Sequence, residues 1–339
     1  MSTVPAPIPE PLERLVFDGR ELMYEYPPVI HDANKRIVYD IACPPECQFP
    51  GEIVYTRWPA FALPDGADAR RALALLESRP GIFDYTPAGN LPGAVEWHVN
   101  FADPRLFCGY GTSLFAQDEM MVAEHPALGS IREALRAGGY PAVTENDNGP
   151  TPVLITDVRR CCHVATDANA AEGRPRGLYG NEFGMATADT VRRATTRLDP
   201  PTISNIIALA APAYGVGKYT RDDIRRILIT AYTGFRAAVA ESERLSGAEA
   251  PVAVHTGYWG CGVFGGNRVL MTALQLLAAE MAGVSRVVFH TANVAGGPFL
   301  EEAVQMLSED LAPAGPMTAD DLLDRVLGLG FVWGMSGGA

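Results

Sequence analysis

Between residues 251 and 291 the chain runs through a short apolar stretch, a glycine-rich loop, an amphipathic stretch and a second apolar run. Pro251–His255 and Ser285–Thr291 have strand length. Leu270, Leu274, Leu277 and Met281 mark one face of a helix over Asn267–Ala282. A strand–helix–strand succession buries its apolar faces only in an α/β layer architecture. The alternation extends upstream. Ala94–Phe101, Pro152–Asp157 and Ile203–Ala210 read as strands, and a helix is expected near Ser113–Glu124. Another starts behind an N-cap at Thr220, with Asp222 and Asp223 in its first turn. Its apolar residues Ile224, Ile227, Leu228, Ala231, Tyr232 and Phe235 recur at helical spacing.

Two regions break the pattern. Arg159–Thr196 is polar and Gly-rich and reads as a long irregular insertion, a kind of loop that often carries function. Residues 1–93 are Pro-rich and irregular except for a helix around Asp68–Glu77. Their apolar content (Val16, Leu22, Tyr24, Ile37, Val38, Trp58, Phe61) is too high for a flexible arm. The expected organisation is an accessory segment, 1–93, packed on a domain spanning 94–339.

Composition narrows the function. A chain of 339 residues with 47% hydrophobic content can bury a real core. No run of about 18 apolar residues is present, which argues against a membrane span. The start has no apolar signal region and the six cysteines form no disulfide framework, so a cytoplasmic location is expected. With Lys and Arg at 27 against 40 Asp and Glu, the net charge of −13 repels polyanions and disfavours a nucleic-acid partner without excluding one. A small anion can still be held by backbone N–H groups.

The segment best suited to that is Thr256, Gly257, Tyr258, Trp259, Gly260, Cys261, Gly262, Val263, Phe264, Gly265 and Gly266. Five of its eleven residues are glycine, between a strand and a helix. Glycines admit positive φ and close approach of a ligand to the main chain. Strand before and helix after favour a diphosphate site over a purely structural turn. Gly260, Gly262 and Gly265 also fit a dinucleotide fingerprint. The next strand, however, ends in His290 and Thr291 without the acidic ribose ligand, and too little chain follows for a Rossmann domain. A second motif comprises Asn100, Phe101 and Asp103, then Gly109 and Gly111, then Gln117, Asp118 and Glu119. Adjacent carboxylates after a glycine loop suit acid–base work; alone, they read more readily as a solvated helix face.

Together, in this order, the two motifs resemble the poly(ADP-ribose) glycohydrolase family over roughly residues 94–295. A further echo is Ala231, Tyr232, Thr233, Gly234 and Phe235. The resemblance implies a macrodomain-like mixed sheet flanked by helices. It implies a catalytic role for Glu119, with Asp118 beside it, and a substrate site lined by the remaining residues of both motifs except Trp259. Gly260, Gly262, Gly265 and Gly266 would hold a diphosphate, and Phe264 would pack near a ribose. Departures from the family pattern are the exchanged Asn100 and Asp103, Phe107-Cys108-Gly109 in place of three glycines, and Ala292 in place of an aromatic. Such changes point to an altered aglycone. Tyr179 and Phe183 are candidates for stacking on adenine.

The expected function is therefore an ADP-ribosyl glycohydrolase acting on a polymer or mono-modified protein, with ADP-ribose or an ADP-ribosylated substrate as its partner. The alternatives are a non-catalytic ADP-ribose binding module and a hydrolase acting on modified nucleic acid or a small molecule. No cofactor is implied. Cys43 with Cys47, and Cys161-Cys162-His163, lack the paired short spacings of a zinc site, so no metal is assigned. His98 reads as a strand residue and Trp259 as a packing anchor for the loop.

Overall fold

A 16-residue strand and a 26-residue helix, packed together, organise the molecule. The computed structural model describes residues 8–247, 249–292 and 294–334; the first seven residues of the Pro-rich start lie outside it. In chain order the principal elements are β1 (Glu13–Asp18), α1 (Gly19–Glu25), α2 (Ala33–Ala42), β2 (Glu52–Arg57), α3 (Ala69–Ala74) and β3 (Leu76–Arg79). There follow β4 (Val95–Ala102), α4 (Gln117–Glu124), α5 (Ala127–Ala137), the short hairpin β5 and β6 (Glu145–Asn146, Gly149–Pro150), and β7 (Val153–Val164). Then come α6 (Asn181–Met185), α7 (Ala188–Ala194), β8 (Thr195–Ala210), α8 (Arg221–Ser246), β9 (Val252–Thr256), α9 (Arg268–Ala282), β10 (Arg286–His290), α10 (Gly297–Met306) and α11 (Ala319–Gly328).

Eight strands form one mixed sheet in the order β1-β2-β7-β8-β4-β9-β10-β3. The β1, β2, β7 and β8 neighbours pair antiparallel, while β8, β4, β9, β10 and β3 run parallel. Side chains alternate across the sheet with period two. Leu154, Ile207 and Leu209 face a core built with Ile227, Leu228 and Phe235 of α8 and Leu270, Leu274 and Leu277 of α9. Val153, Ile155, Ile206 and Ala208 face the opposite core, closed by Leu22, Met121, Leu128 and Ile131 of α1, α4 and α5. Helices therefore cover both faces, as the α/β reading requires.

Several local expectations change. The helix expected around Asp68–Glu77 stops at Ala74, and Leu76–Arg79 becomes the edge strand β3 beside β10. The first 93 residues hold three strands of the central sheet, β1 and β2 at one end and β3 at the other. The insertion is less irregular than its composition suggests: β7 runs on to Val164, and β8 begins at Thr195. Between them α7 folds against α2 and β8, and Asn34 of α2 donates to the Phe183 carbonyl of α6. The helix behind Thr220 forms as read, with the Thr220 side chain accepting from the Asp223 N–H.

Candidate active site

β4 and β9 are parallel neighbours, with His98 opposite His255, so both chains leave the sheet on the same side. Beyond their carboxyl ends lie the two motifs, where α/β sheets bind ligands. Phe101 links them. Its ring edge stands 3.6 Å from where a Cβ on Gly257 would be.

The first turn of α4 is stitched to β4 by three hydrogen bonds. Gln117 Oε1 accepts the Phe101 N–H at 2.7 Å, Gln117 Nε2 donates to the Val99 carbonyl at 3.0 Å, and Asn100 Nδ2 donates to Asp118 Oδ1 at 3.1 Å. Asp118 and Glu119 are consequently buried, at 6% and 5% exposure, which rules out the solvated-face reading. Burial, then repulsion from Glu119, holds the Asp118 carboxyl well above the usual carboxylate range. Burial also raises Glu119, opposed by Lys35 and by the Ala116 N–H, which donates to Glu119 Oε2 at 3.1 Å. Asn100 Oδ1, itself buried, has no partner among the described residues.

The loop before α4 shapes the other wall. An ideal Cβ on Gly109 would lie 2.2 Å from Glu119 Oε1, so only glycine lets the backbone pass this close to the carboxyl group. Gly111 is placed for a different reason. A Cβ there would meet the Val29 carbonyl at 2.4 Å, and the Gly111 carbonyl accepts from the His31 and Asp32 N–H groups. Asp103 sits at the rim, its Oδ1 accepting the Arg105 N–H at 2.9 Å. Phe107 keeps a left-handed backbone at φ 53°, a conformation suited to glycine, while its ring is fully buried.

Lys35 is a site residue that the sequence did not reveal. From α2 its Nζ donates to the Tyr110 carbonyl at 2.9 Å and to the Gly109 carbonyl at 3.3 Å. Burial lowers its ammonium to about 8, against the pull of Glu119 and Asp118. It thus supplies the nearby positive charge that two buried carboxyls require.

The glycine loop begins where β9 ends. Thr256 and Gly257 are buried; the Thr256 hydroxyl donates to Gln275 Oε1 at 2.5 Å, and Gln275 Nε2 donates to the Gly257 carbonyl at 3.1 Å. A Cβ on Gly257 would meet the His290 carbonyl at 2.7 Å. Trp259 anchors the turn inside, its Nε1 donating to the Leu209 carbonyl at 2.9 Å. Tyr258 lies under the Arg268 guanidinium, and its hydroxyl donates to the Gly296 carbonyl. Gly260 and Gly265 have φ of 74° and 72°, and the Gly266 N–H closes onto the Gly260 carbonyl at 2.9 Å. Cys261 is buried, Val263 half-buried, and Phe264 meets Tyr214 edge-on at 5.8 Å. Gly262 is exposed, and a Cβ there would meet nothing within 4 Å. The loop delivers the chain to α9, whose N-cap Asn267 accepts the Leu270 N–H at 3.1 Å.

Of the two adenine-stacking candidates, Phe183 is unavailable, being fully buried and stacked on Phe115 at 4.0 Å. Tyr179 is 48% exposed, with its hydroxyl near the Gln117 backbone at the start of α4. His98 is a packed strand residue, between the rings of Tyr85 and His255 at 4.6 and 4.4 Å. Ala292 has φ 63°. Among the described residues no group of three or more His, Cys, Asp and Glu side chains is arranged to hold a metal ion, and no helix is long and apolar enough to cross a membrane.

Residues 176–296, which include the glycine loop but not the carboxyl pair, match the family described as Poly (ADP-ribose) glycohydrolase (PARG), Macro domain fold. Among solved structures, the chain is similar to poly(ADP-ribose) glycohydrolase from Thermomonospora curvata, at 15% identity over 86% of this chain and 84% of that one, with a TM-score of 0.39. The T. curvata protein bound to the inhibitor ADP-HPD is 17% identical over 71% and 83%, with a TM-score of 0.40. Poly(ADP-ribose) glycohydrolase from Deinococcus radiodurans in complex with ADP-ribose is 14% identical over 88% and 95%, with a TM-score of 0.42.

Proposed function

We propose, from the match of residues 176–296 to the poly(ADP-ribose) glycohydrolase family of macrodomain fold, that the chain is an ADP-ribosyl glycohydrolase whose proton-transfer residue is Glu119. One observation carries the proposal. A buried carboxyl pair and a glycine-rich loop leave adjacent parallel strands side by side, joined by Phe101 over Gly257.

Hydrolysis at the anomeric carbon of ribose passes through an oxocarbenium-like transition state. Glu119, raised by burial, is suited to give its proton to the departing oxygen and then take one from the attacking water. Asp118, held by Asn100, offers a ribose contact. The orphaned Asn100 Oδ1 is a buried acceptor available to a sugar hydroxyl. A diphosphate rests against the Thr256–Gly266 backbone, over the open face of Gly262. Phe107 and Ala292, where the family pattern has a glycine and an aromatic, alter the pocket on the aglycone side. The substrate is an ADP-ribosylated protein, as polymer or single unit, and the acidic balance of the chain disfavours modified nucleic acid. We place the enzyme in the cytoplasm, in keeping with six free thiols.

The test is to incubate the protein with free polymer, mono-modified protein, modified nucleic acid and an ADP-ribosyl small molecule, and to assay released ADP-ribose. Glu119→Gln removes the titratable proton at constant shape. It is expected to cut turnover by about 10² or more while leaving ADP-ribose affinity nearly intact. Equal turnover by the variant and the unmodified chain removes Glu119 from the mechanism. Binding without turnover on every substrate leaves a binding module instead.

A further inference from the structure

On the β7 side of α2, three cysteines distant in sequence converge. Cys43 caps α2, its N–H donating to the Tyr39 carbonyl at 2.7 Å, and Cys47 closes the following turn onto the Pro44 carbonyl at 2.8 Å. Cys161 projects from β7 toward them, whereas its neighbour Cys162 points to the Ala123 carbonyl. Cys43 and Cys47 pack on Cys161 in one apolar cluster with Val38, Phe49 and Val164. Each of the Cys43, Cys47 and Cys161 thiols perturbs the titration of the other two, as only neighbouring groups do. Cys161 is buried, while Cys43 and Cys47 are half-buried and open the cluster toward solvent.

Two guanidinium groups flank it. Arg159 donates to the Pro50 carbonyl at 3.3 Å, and Arg197 donates to Glu46 at 3.4 Å, on either side of Cys47. Cys43, together with both arginines, holds the Cys161 thiol below its ordinary value against its burial, whereas burial raises Cys47.

We propose that Cys43, Cys47 and Cys161 form a reversible dithiol–disulfide site whose substrate is a small-molecule disulfide of the glutathione type. The Cys47 sulfur attacks the small disulfide, forming a mixed disulfide and releasing one thiolate, which takes up the Cys47 proton. Cys161 sulfur then attacks Cys47 Sγ, forming the protein disulfide and releasing the second thiolate with the Cys161 proton. Two protein thiols are oxidised and one small disulfide is reduced to two thiols. Cys43, in reach of both sulfurs, exchanges into the bond with no change in electron count. The site is independent of the glycohydrolase reading, because none of its residues contacts the carboxyl pair.

The test treats the native full chain with oxidised glutathione, then counts thiols after denaturation and maps peptides without reduction. The count is expected to fall from six to four, with a peptide containing residue 43 or 47 joined to the one containing residue 161, and to return to six with dithiothreitol. A doubly substituted Cys43→Ser, Cys161→Ser chain is expected to stop at a persistent glutathione adduct on Cys47. Six thiols remaining in the unmodified chain, a stable adduct on its Cys47, or a disulfide built from Cys108 or Cys261 would each overturn the proposal, whether or not the double variant folds.

Discussion

Gly109→Ala isolates the positioning of the carboxyl group from its chemistry. The added Cβ would stand 2.2 Å from Glu119 Oε1, 3.2 Å from its carboxyl carbon and 3.4 Å from Cγ. An ordinary carbon–oxygen contact is about 3.4 Å, so the carboxyl must retreat by roughly 1.2 Å. A displacement of about 1 Å at a reacting group costs on the order of 10² in rate. The stability cost is smaller. Gly109 has no positive φ, so alanine is sterically allowed and gains about 0.4–1 kcal/mol by restricting the unfolded chain. Overpacking costs about 1–3 kcal/mol, softened here because the obstacle is the tip of a side chain. The expected result is a folded protein destabilised by about 1–2 kcal/mol, with ADP-ribose affinity within a few-fold of the parent and turnover down about 10²-fold. Gly111→Ala is the control. Its Cβ meets the backbone carbonyl of Val29 at 2.4 Å, so it should lower the melting temperature without a selective loss of turnover. Calorimetric binding, initial rates of ADP-ribose release and thermal melts separate the outcomes. A Gly109→Ala chain with unchanged turnover would refute the placement of Glu119 against this loop.

Gly262→Val meets open space at an ordinary φ, so the variant should fold like the parent yet bind ADP-ribose at least tenfold more weakly, about 1.4 kcal/mol, because the isopropyl group covers the diphosphate seat. Unchanged affinity in a titration would move the diphosphate elsewhere. Acid should also destabilise the fold. Burial lowers His98 far below, and His125 and His290 to about 4, so these rings stay neutral when folded but protonate when unfolded below about 6.5. Stability is therefore full above pH 6.5 and falls toward pH 4, by about 1.4 kcal/mol per pH unit for each ring. Asp118, Glu119 and Glu280, raised in the fold, oppose this with the reverse sign, so the net fall is smaller than the three rings alone would give. Urea midpoints that do not fall between pH 7 and 5 would contradict the burial of these rings.

What was legible in the sequence was what local chemistry decides. Thr220 with Asp222 and Asp223 announces α8, and the five glycines after an apolar strand announce the loop, because caps and turns are encoded within a few residues. Leu76 and Glu77 read as helix because the partner that makes Leu76–Arg79 a strand is β10, far along the chain, and pairing overrides propensity. The start of β8 was hidden by Pro200 and Pro201. They fall where the register with β7 shifts, between Thr202 opposite Arg160 and Arg197 opposite Cys162, and prolines are tolerated at such irregularities. Lys35 and Gln275 carried no motif. Each acts through a backbone carbonyl near a distant loop, which no spacing rule reports. Conversely, Asp118 and Glu119 are ordinary as sequence and unusual only once buried.

The placement of β3 bears on how the ribosome can deliver this molecule. Leu76 pairs with Val287, and no earlier strand of the sheet borders β3. At about 5–20 residues per second, roughly 10–40 seconds separate the synthesis of the two partners. Throughout that interval the nascent chain must carry an unpaired strand, and contacts this distant in sequence also form slowly. A chain stalled before residue 286 leaves that strand without its seat, which makes the late-synthesised β10 the piece that completes the far edge of the sheet.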